Sequence, residues 1–214
     1  MAGGGLSLNK FRANCVRDNS LAGLVLTGGA STRLGQDKAV LPIDGERLVD
    51  RTVRLLSDVC APVIEVGPGY SSLPFISEQP PSSGPLVALA AGIDVLRQQG
   101  FTGGAIVLAV DLPRLAPALL DWLVAYPGDN SVVPIVDDRA QTLCARYNAP
   151  ALDAVSALVK NGERSLQSLL NVISVNRASI DEWGEVVTPE CFFDIDTPED
   201  LDRSGYSGEQ IFSE

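Results

Sequence analysis

Apolar residues fall into two alternating rhythms from Leu21 onward. Leu21-Ala-Gly-Leu-Val-Leu26 and Ala105-Ile-Val-Leu-Ala-Val110 are short, near-continuous apolar runs, the pattern of strands covered on both faces. Between them Leu48, Val49, Val53, Leu55, Leu56 and Val59 recur at helical spacing, which predicts an amphipathic helix over 48–59. Further strands are expected at 62–66, 131–136, 142–147, 172–175 and 192–195, with a short one at Phe75-Ile76 inside a Pro- and Ser-rich loop over 71–83. Helices are expected over 85–99 (stopped by Gly100), 117–125, 150–160 and 166–170, and a final helical turn over 198–203.

Strands alternating with helices imply βαβ units. The expected fold is therefore α/β: a Rossmann-like, mostly parallel sheet with helices on both faces. A single domain is expected over 21–203, between flexible tails at 1–20 and 204–214. Ligands of such sheets bind beyond the carboxyl ends of the strands, so the loops after Leu26 and Val110 are the first places to look for chemistry.

Composition narrows that chemistry. The 214 residues carry a net charge of −11, which argues against non-specific nucleic-acid binding because that needs basic patches. No apolar run approaches the ~20 residues that span a bilayer, and residues 1–19 hold no secretory h-region, so a cytoplasmic protein is expected. Of the four cysteines, Cys15, Cys60, Cys144 and Cys191, none has C-x-x-C spacing. They read as free thiols, three of them as small core residues. There is no histidine, which excludes Ser-His-Asp and Cys-His catalysis and any imidazole base or ligand. Carboxylates, Lys, Arg, backbone amides and a hard metal ion remain.

The first loop reads Thr27-Gly28-Gly29-Ala30-Ser31-Thr32-Arg33-Leu34-Gly35-Gln36-Asp37-Lys38. Gly28 and Gly29 allow a sharp turn that brings amides close to an anion. Arg33 and Lys38 add a planar fork and a point charge to the same concavity. These are the parts of a triphosphate cradle, although neither the P-loop nor the Gly-x-Gly-x-x-Gly fingerprint is present. Just past the apolar run that ends at Val110, Asp111 stands at a strand end beside Leu112-Pro113. A carboxylate next to a triphosphate suits Mg²⁺, which takes one or two carboxylates plus phosphate oxygens and water. A late cluster, Asp194-Ile-Asp196-Thr197-Pro198-Glu199-Asp200, reads partly as a helix start capped by Thr197. Alternation puts Asp194 and Asp196 on one side, where either completes the metal shell or only holds the loop.

The string Leu26-Thr27-Gly28-Gly29-x-Ser31-x-Arg33-Leu34-Gly35-x-Asp37-Lys38 resembles the nucleotide-binding signature of the molybdenum cofactor guanylyltransferases (MobA-like). The likeness extends over 21–203. It departs from the family at Thr27, usually Ala, and at Leu34, usually Met. The Gly28-Gly29 pair is more similar to guanylyl than to cytidylyl enzymes. Ser83-Gly84-Pro85-Leu86 resembles the family's start of a helix near the nucleotide; the family's preceding Asp is replaced by Glu78, and its Asn after the second strand by Gly67. The resemblance implies a nucleotide-diphospho-sugar transferase type of fold. It also implies nucleotide binding by Leu26, Thr27, Gly28, Gly29, Lys38, Glu78, Gly84 and Asp111, catalysis by Arg33, Lys38 and Asp111, and Mg²⁺ on Asp111 and Asp196. Arg139 and Arg164 lie where the pterin is expected, as phosphate ligands or as plain surface arginines.

The implied reaction transfers GMP from GTP to the terminal phosphate of molybdopterin or its molybdenum form. The nucleophile is already anionic, so no general base is needed. Positioning and charge neutralisation then carry catalysis. Transient contact with molybdoenzymes or other cofactor-biosynthesis proteins is expected. The rival readings are a cytidylyltransferase for the same pterin, a guanylyltransferase for another phosphorylated small molecule, and a non-catalytic nucleotide-binding regulator or cofactor chaperone.

Overall fold

The computed structural model describes residues 19–28, 34 and 37–203; both expected tails lie outside them except Asn19 and Ser20. In chain order the strands are β1 Leu21–Leu26, β2 Pro42–Ile43, β3 Glu46–Arg47, β4 Val63–Val66, β5 Phe75–Ile76, β6 Gly104–Ala109, β7 Ser131–Val136, β8 Arg139–Ala140, β9 Cys144–Tyr147 and β10 Val175–Ala178. The helices are α1 Leu48–Val59, α2 Pro85–Gln98, α3 Pro117–Ala125, α4 Ala149–Lys160, α5 Leu166–Leu170, α6 Ile180–Trp183 and α7 Pro198–Arg203. Short 3₁₀ turns occupy Lys38–Val40 and Pro189–Phe192.

The main sheet runs β10-β7-β9-β6-β1-β4-β5, with β8 on the rim of β7. β1 lies between β4 and β6, parallel to both. β9 alone on this path runs against its neighbours β6 and β7. The strands alternate faces, as pleating requires. Ala22, Leu24, Leu26, Ala105 and Val107 pack with α2, α4 and α5, while Val25, Ile106 and Leu108 pack with α1 and α3. Both faces are thus covered, which is why these strands are apolar without a polar stripe. Two prolines start helices where no N–H is needed, Pro85 in α2 and Pro117 in α3. Gly100 ends the α2 region in a left-handed conformation at φ +79°.

Three expected strands differ. The strand read over 172–175 begins only at Val175. The Val172 N–H is taken by the Leu169 carbonyl, closing the turn after α5, and parallel pairing with β7 sets the strand over Val175–Ala178. The strand read over 192–195 does not form: Pro189–Phe192 is a 3₁₀ turn, and residues 193–195 join no ladder. Their hold on the fold is the Ile195 N–H bonding the Asp111 carbonyl at 3.0 Å. The strand read over 142–147 starts at Cys144 because the Thr142 N–H turns back to the Ala140 carbonyl.

A third apolar cluster joins Leu41, Ile43 and Leu48 to Ile195 and Leu201, with Leu34 and Phe193 against it. Burying side chains of this size stabilises by about 1.5–3 kcal/mol each. It fastens the end of the first loop to the C-terminal segment, although some 150 residues separate them in sequence. The β2–β3 hairpin, turned by Asp44 at φ +53° and Gly45 at φ +78°, supplies Ile43 to this cluster. Thr197 caps α7 as expected: its hydroxyl accepts from the Asp200 N–H at 3.2 Å and donates to the Asp200 carboxylate at 2.8 Å.

Candidate active site

At the carboxyl ends of β1 and β6 a cavity of about 460 Å³ opens, within the size range of small-molecule sites. Seven residues singled out in the sequence line it: Leu26, Thr27, Gly28, Lys38, Glu78, Gly84 and Asp111. Asp196 reaches this group through Lys38. Arg33 and Gly29 lie outside the described residues.

Lys38 opens the 3₁₀ turn whose first free amide is capped by Asp37, the Ala39 N–H donating to Asp37 Oδ1 at 3.2 Å. The Lys38 ammonium stands 3.8 Å from Asp111 Oδ2 and donates to Asp196 Oδ1. One cation therefore holds together a carboxylate from the end of β6 and one from the C-terminal segment. The Asp111 side chain keeps 25% of its surface accessible, yet it is enclosed by protein. That desolvation pushes its carboxyl above the ordinary range; Lys38 opposes the shift, and Asp194 and Asp196 add to it. Ile195 is buried while Asp194 and Asp196 are exposed on either side of it, as alternation predicted.

Across the cavity Glu78 is buried at 6% exposure, with the Ser82 N–H donating to its Oε1 at 2.9 Å. A methyl group added at Gly28 would lie 3.5 Å from Glu78 Oε1, so the carboxylate faces the start of the first loop. Gly84 is required where it stands. Its φ is +102°, and a Cβ there would come within 2.9 Å of the Arg164 carbonyl. That carbonyl accepts from the Leu86 N–H at 3.0 Å, tying the 161–165 loop to the first turn of α2. The Arg164 guanidinium turns back to the Val159 and Glu163 carbonyls, at 3.2 and 2.8 Å. Arg139 is exposed on β8 and does not line the cavity, whereas Leu143, in the connection from β8 to β9, does.

Glu65, not singled out in the sequence, is fully buried in β4. Its Oε1 accepts from Thr27 Oγ1 at 2.7 Å, Tyr70 N–H at 2.8 Å and Gly69 N–H at 3.1 Å; its Oε2 accepts from Ser71 N–H at 2.8 Å and Ser71 Oγ at 2.7 Å. Burial alone would raise this carboxyl, but the hydrogen bonds from Ser71, Tyr70 and Thr27 outweigh it and hold the group below its ordinary 4.5. Tyr70 continues the chain: its hydroxyl donates to Asp37 Oδ2 at 2.5 Å, which pushes the phenol up to about 12. The clue in the sequence was a lone carboxylate inside the apolar run Val63-Ile64-Glu65-Val66, since a charge in a buried strand needs partners.

The carboxylates beside Lys38, those of Asp111 and Asp196, are hard oxygen donors. Among the described residues, no three His, Cys, Asp or Glu side chains converge as a self-sufficient metal cage. No described helix is long and apolar enough to cross a membrane.

Comparison with known proteins bears on the family and the fold. Residues 23–179 match the family model of the MobA-like NTP transferase domain. The chain is 38% identical over 160 residues to a probable molybdenum cofactor guanylyltransferase of Mycobacterium tuberculosis, covering 71% of this chain and 79% of that one. A protein of the same description from Mycobacterium avium is 31% identical over 194 residues, covering 85% and 93%. In three dimensions, molybdopterin-guanine dinucleotide biosynthesis protein A of Archaeoglobus fulgidus superposes with a TM-score of 0.70 at 23% identity, over 86% of this chain and 96% of that one. With the matched region spanning most of the sheet and the cavity at its carboxyl edge, the chain belongs to the MobA-like NTP transferase family.

Proposed function

We propose that this protein transfers GMP from GTP to the terminal phosphate of molybdopterin or its molybdenum-bound form. An acceptor phosphate oxygen attacks the α-phosphorus, a new P–O bond forms, and the bond to the β-phosphate oxygen breaks with its electron pair leaving on pyrophosphate. The observation that carries this reading is Lys38, on the 3₁₀ turn after the first loop, lying 3.8 Å from Asp111 just past β6, in a cavity that Glu78 lines from the other side.

Each residue has a task that its surroundings support. Lys38 neutralises charge on the triphosphate and on the leaving pyrophosphate; Arg33, from the sequence motif, shares that task. The backbone at Thr27 and Gly28 passes close to the ligand. Glu78 selects the base. An ionised carboxylate only accepts hydrogen bonds, and guanine alone among the four bases presents adjacent N1–H and N2–H donors on one edge. Cytosine and adenine present one donor beside an acceptor, and uracil one donor between two. This favours GTP over CTP within an otherwise shared mechanism. Since the attacking phosphate is already anionic, the absence of histidine from the chain costs the reaction nothing.

The oxygen-only donor set of Asp111 with Asp196 suits Mg²⁺, whose remaining positions phosphate oxygens and water would fill. Asp111 and Asp196 would hold the ion, which would supply positive charge to offset that of the triphosphate. The reaction is assigned to the cytoplasm, with delivery of the product to molybdoenzymes through transient contacts.

The test is calorimetric titration with GTP, CTP, ATP and UTP, each with Mg²⁺ and with EDTA, followed by pyrophosphate release in the presence of molybdopterin. Magnesium-dependent binding of GTP alone and pyrophosphate release are expected. Preference for CTP would refute the base assignment, and binding without pyrophosphate release would make the protein a nucleotide-dependent regulator.

A further inference from the structure

Lys38 is a long, flexible side chain on a turn only three residues long. Something must aim it if it is to meet a triphosphate without a large ordering cost. The turn's own capping residue, Asp37, is shared: one carboxylate oxygen accepts from the Ala39 N–H, the other from the Tyr70 hydroxyl. Tyr70 in turn hangs by its main-chain N–H from Glu65, the same oxygen of which accepts from Thr27 Oγ1. Both ends of the segment between Thr27 and Lys38 are thereby registered on one buried carboxylate in β4.

A buried carboxylate is a costly way to hold a surface loop, and an apolar side chain could fill the same strand position more cheaply. Its bond to Thr27, 38 residues away in sequence, and the further link that Tyr70 makes to Asp37 across 33 residues account for the expense. We infer that Tyr70 is a positioning residue for the transferase reaction, relaying the fixed position of Glu65 through Asp37 to the turn that aims Lys38 at the triphosphate. The Tyr70 hydroxyl stays protonated, and so remains a donor, throughout the neutral range. Thr27 serves as the second arm of the device, holding the start of the loop to the same anchor.

The inference rests on the reading of Lys38 as a triphosphate ligand, and its test separates the two. GTP and GMP affinities are measured calorimetrically with Mg²⁺ on the full chain, for the wild type, Tyr70→Phe, Lys38→Ala and their combination. Tyr70→Phe keeps the ring and removes only the hydroxyl. It is expected to weaken GTP binding about tenfold, the size of effect for losing a hydrogen bond to a charged group, while GMP binding changes by less than about twofold. In the Lys38→Ala background the same change should have no further effect, because its target is gone. Asp37→Ala cuts the link from the other end and should give the same split between the two nucleotides. Equal weakening of GTP and GMP, no weakening, or a full additional loss on top of Lys38→Ala would each overturn the relay. A wild-type protein that binds no GTP would instead sink the functional reading itself.

Discussion

Gly67 comes directly after β4, with φ at +152° and its N–H bonded to the Ile76 carbonyl at 2.8 Å. A methyl group there would sit 2.1 Å from Thr27 Oγ1, 3.0 Å from the Gly28 nitrogen and 3.1 Å from the Thr27 carbonyl carbon, where ordinary contact begins near 3.4 Å. The hydroxyl could swing aside only by giving up its bond to Glu65, and the two backbone contacts would remain. Overpacking of this kind costs about 1–3 kcal/mol, and a side chain forced into a glycine conformation about 1–3 kcal/mol more. Gly67→Ala should therefore lose about 2–6 kcal/mol, which for a chain of this size is a fall of about 5–20 °C in Tm. Because the strain falls on Thr27 and Gly28, GTP affinity should fall as well. Circular dichroism melts and calorimetry on the purified variant read both effects. Adding Thr27→Ala should recover part of the loss, since it removes the worst contact and leaves the backbone ones. A Tm within about 2 °C of wild type together with unchanged GTP affinity would refute the packing argument.

Four further outcomes concern the site. Lys38→Ala should lower turnover by about 100-fold or more, as expected for a preorganised charge; a change below about threefold in steady-state kinetics would make it a bystander. Asp111→Asn should abolish pyrophosphate release yet melt no lower than the wild type, because it removes an enclosed carboxylate whose charged form is disfavoured; retained turnover would remove Asp111 from the mechanism. Glu78→Gln should lower GTP affinity by about tenfold and narrow the gap between GTP and CTP in competition binding, whereas an unchanged gap would assign base selection elsewhere. Glu65 titrates below 4.5 in the fold, so the folded state binds that proton more weakly than the unfolded chain. Its stabilisation is whole above 4.5 and drains as pH falls below it. Melting curves from about pH 5 down to about pH 3 should be steeper for the wild type than for Glu65→Gln, and parallel curves would contradict the sign.

How much of this was legible in the sequence depended on whether a residue's partner was local. The limits of β1, α1, α3 and α5 could be read because their signals, such as Pro117 at a helix start and the apolar spacing from Leu48, lie within the element itself. The 172–175 and 192–195 segments look like strands by their apolar residues, but a strand also needs an edge to pair with. Val172 spends its N–H on Leu169 and Ile195 spends its own on Asp111. The β2–β3 hairpin strands, of two residues each, are too short for any period to show. In the site, Lys38 and Asp111 stood out because motif and strand end coincide, and Glu78 and Gly84 only through the family resemblance. Tyr70 and Glu65 did not, because what gives them meaning is contact with residues more than 30 positions away.

The reversed course of β9 has a consequence for how this protein can change. In a wholly parallel sheet each connection must travel from the top edge to the bottom before the next strand begins. β7 ends at the same edge where β9 starts, so residues 137–143, including β8, make a closed excursion that never leaves the cavity side. The base of this hairpin is tied down, since the Leu143 carbonyl accepts from the Ala109 N–H at the end of β6 at 2.9 Å. Residues can be inserted, deleted or exchanged at its exposed tip, 137–138, without lengthening a crossover. The ends of β1 and β6 can stay fixed while the outer part of this rim is rewritten.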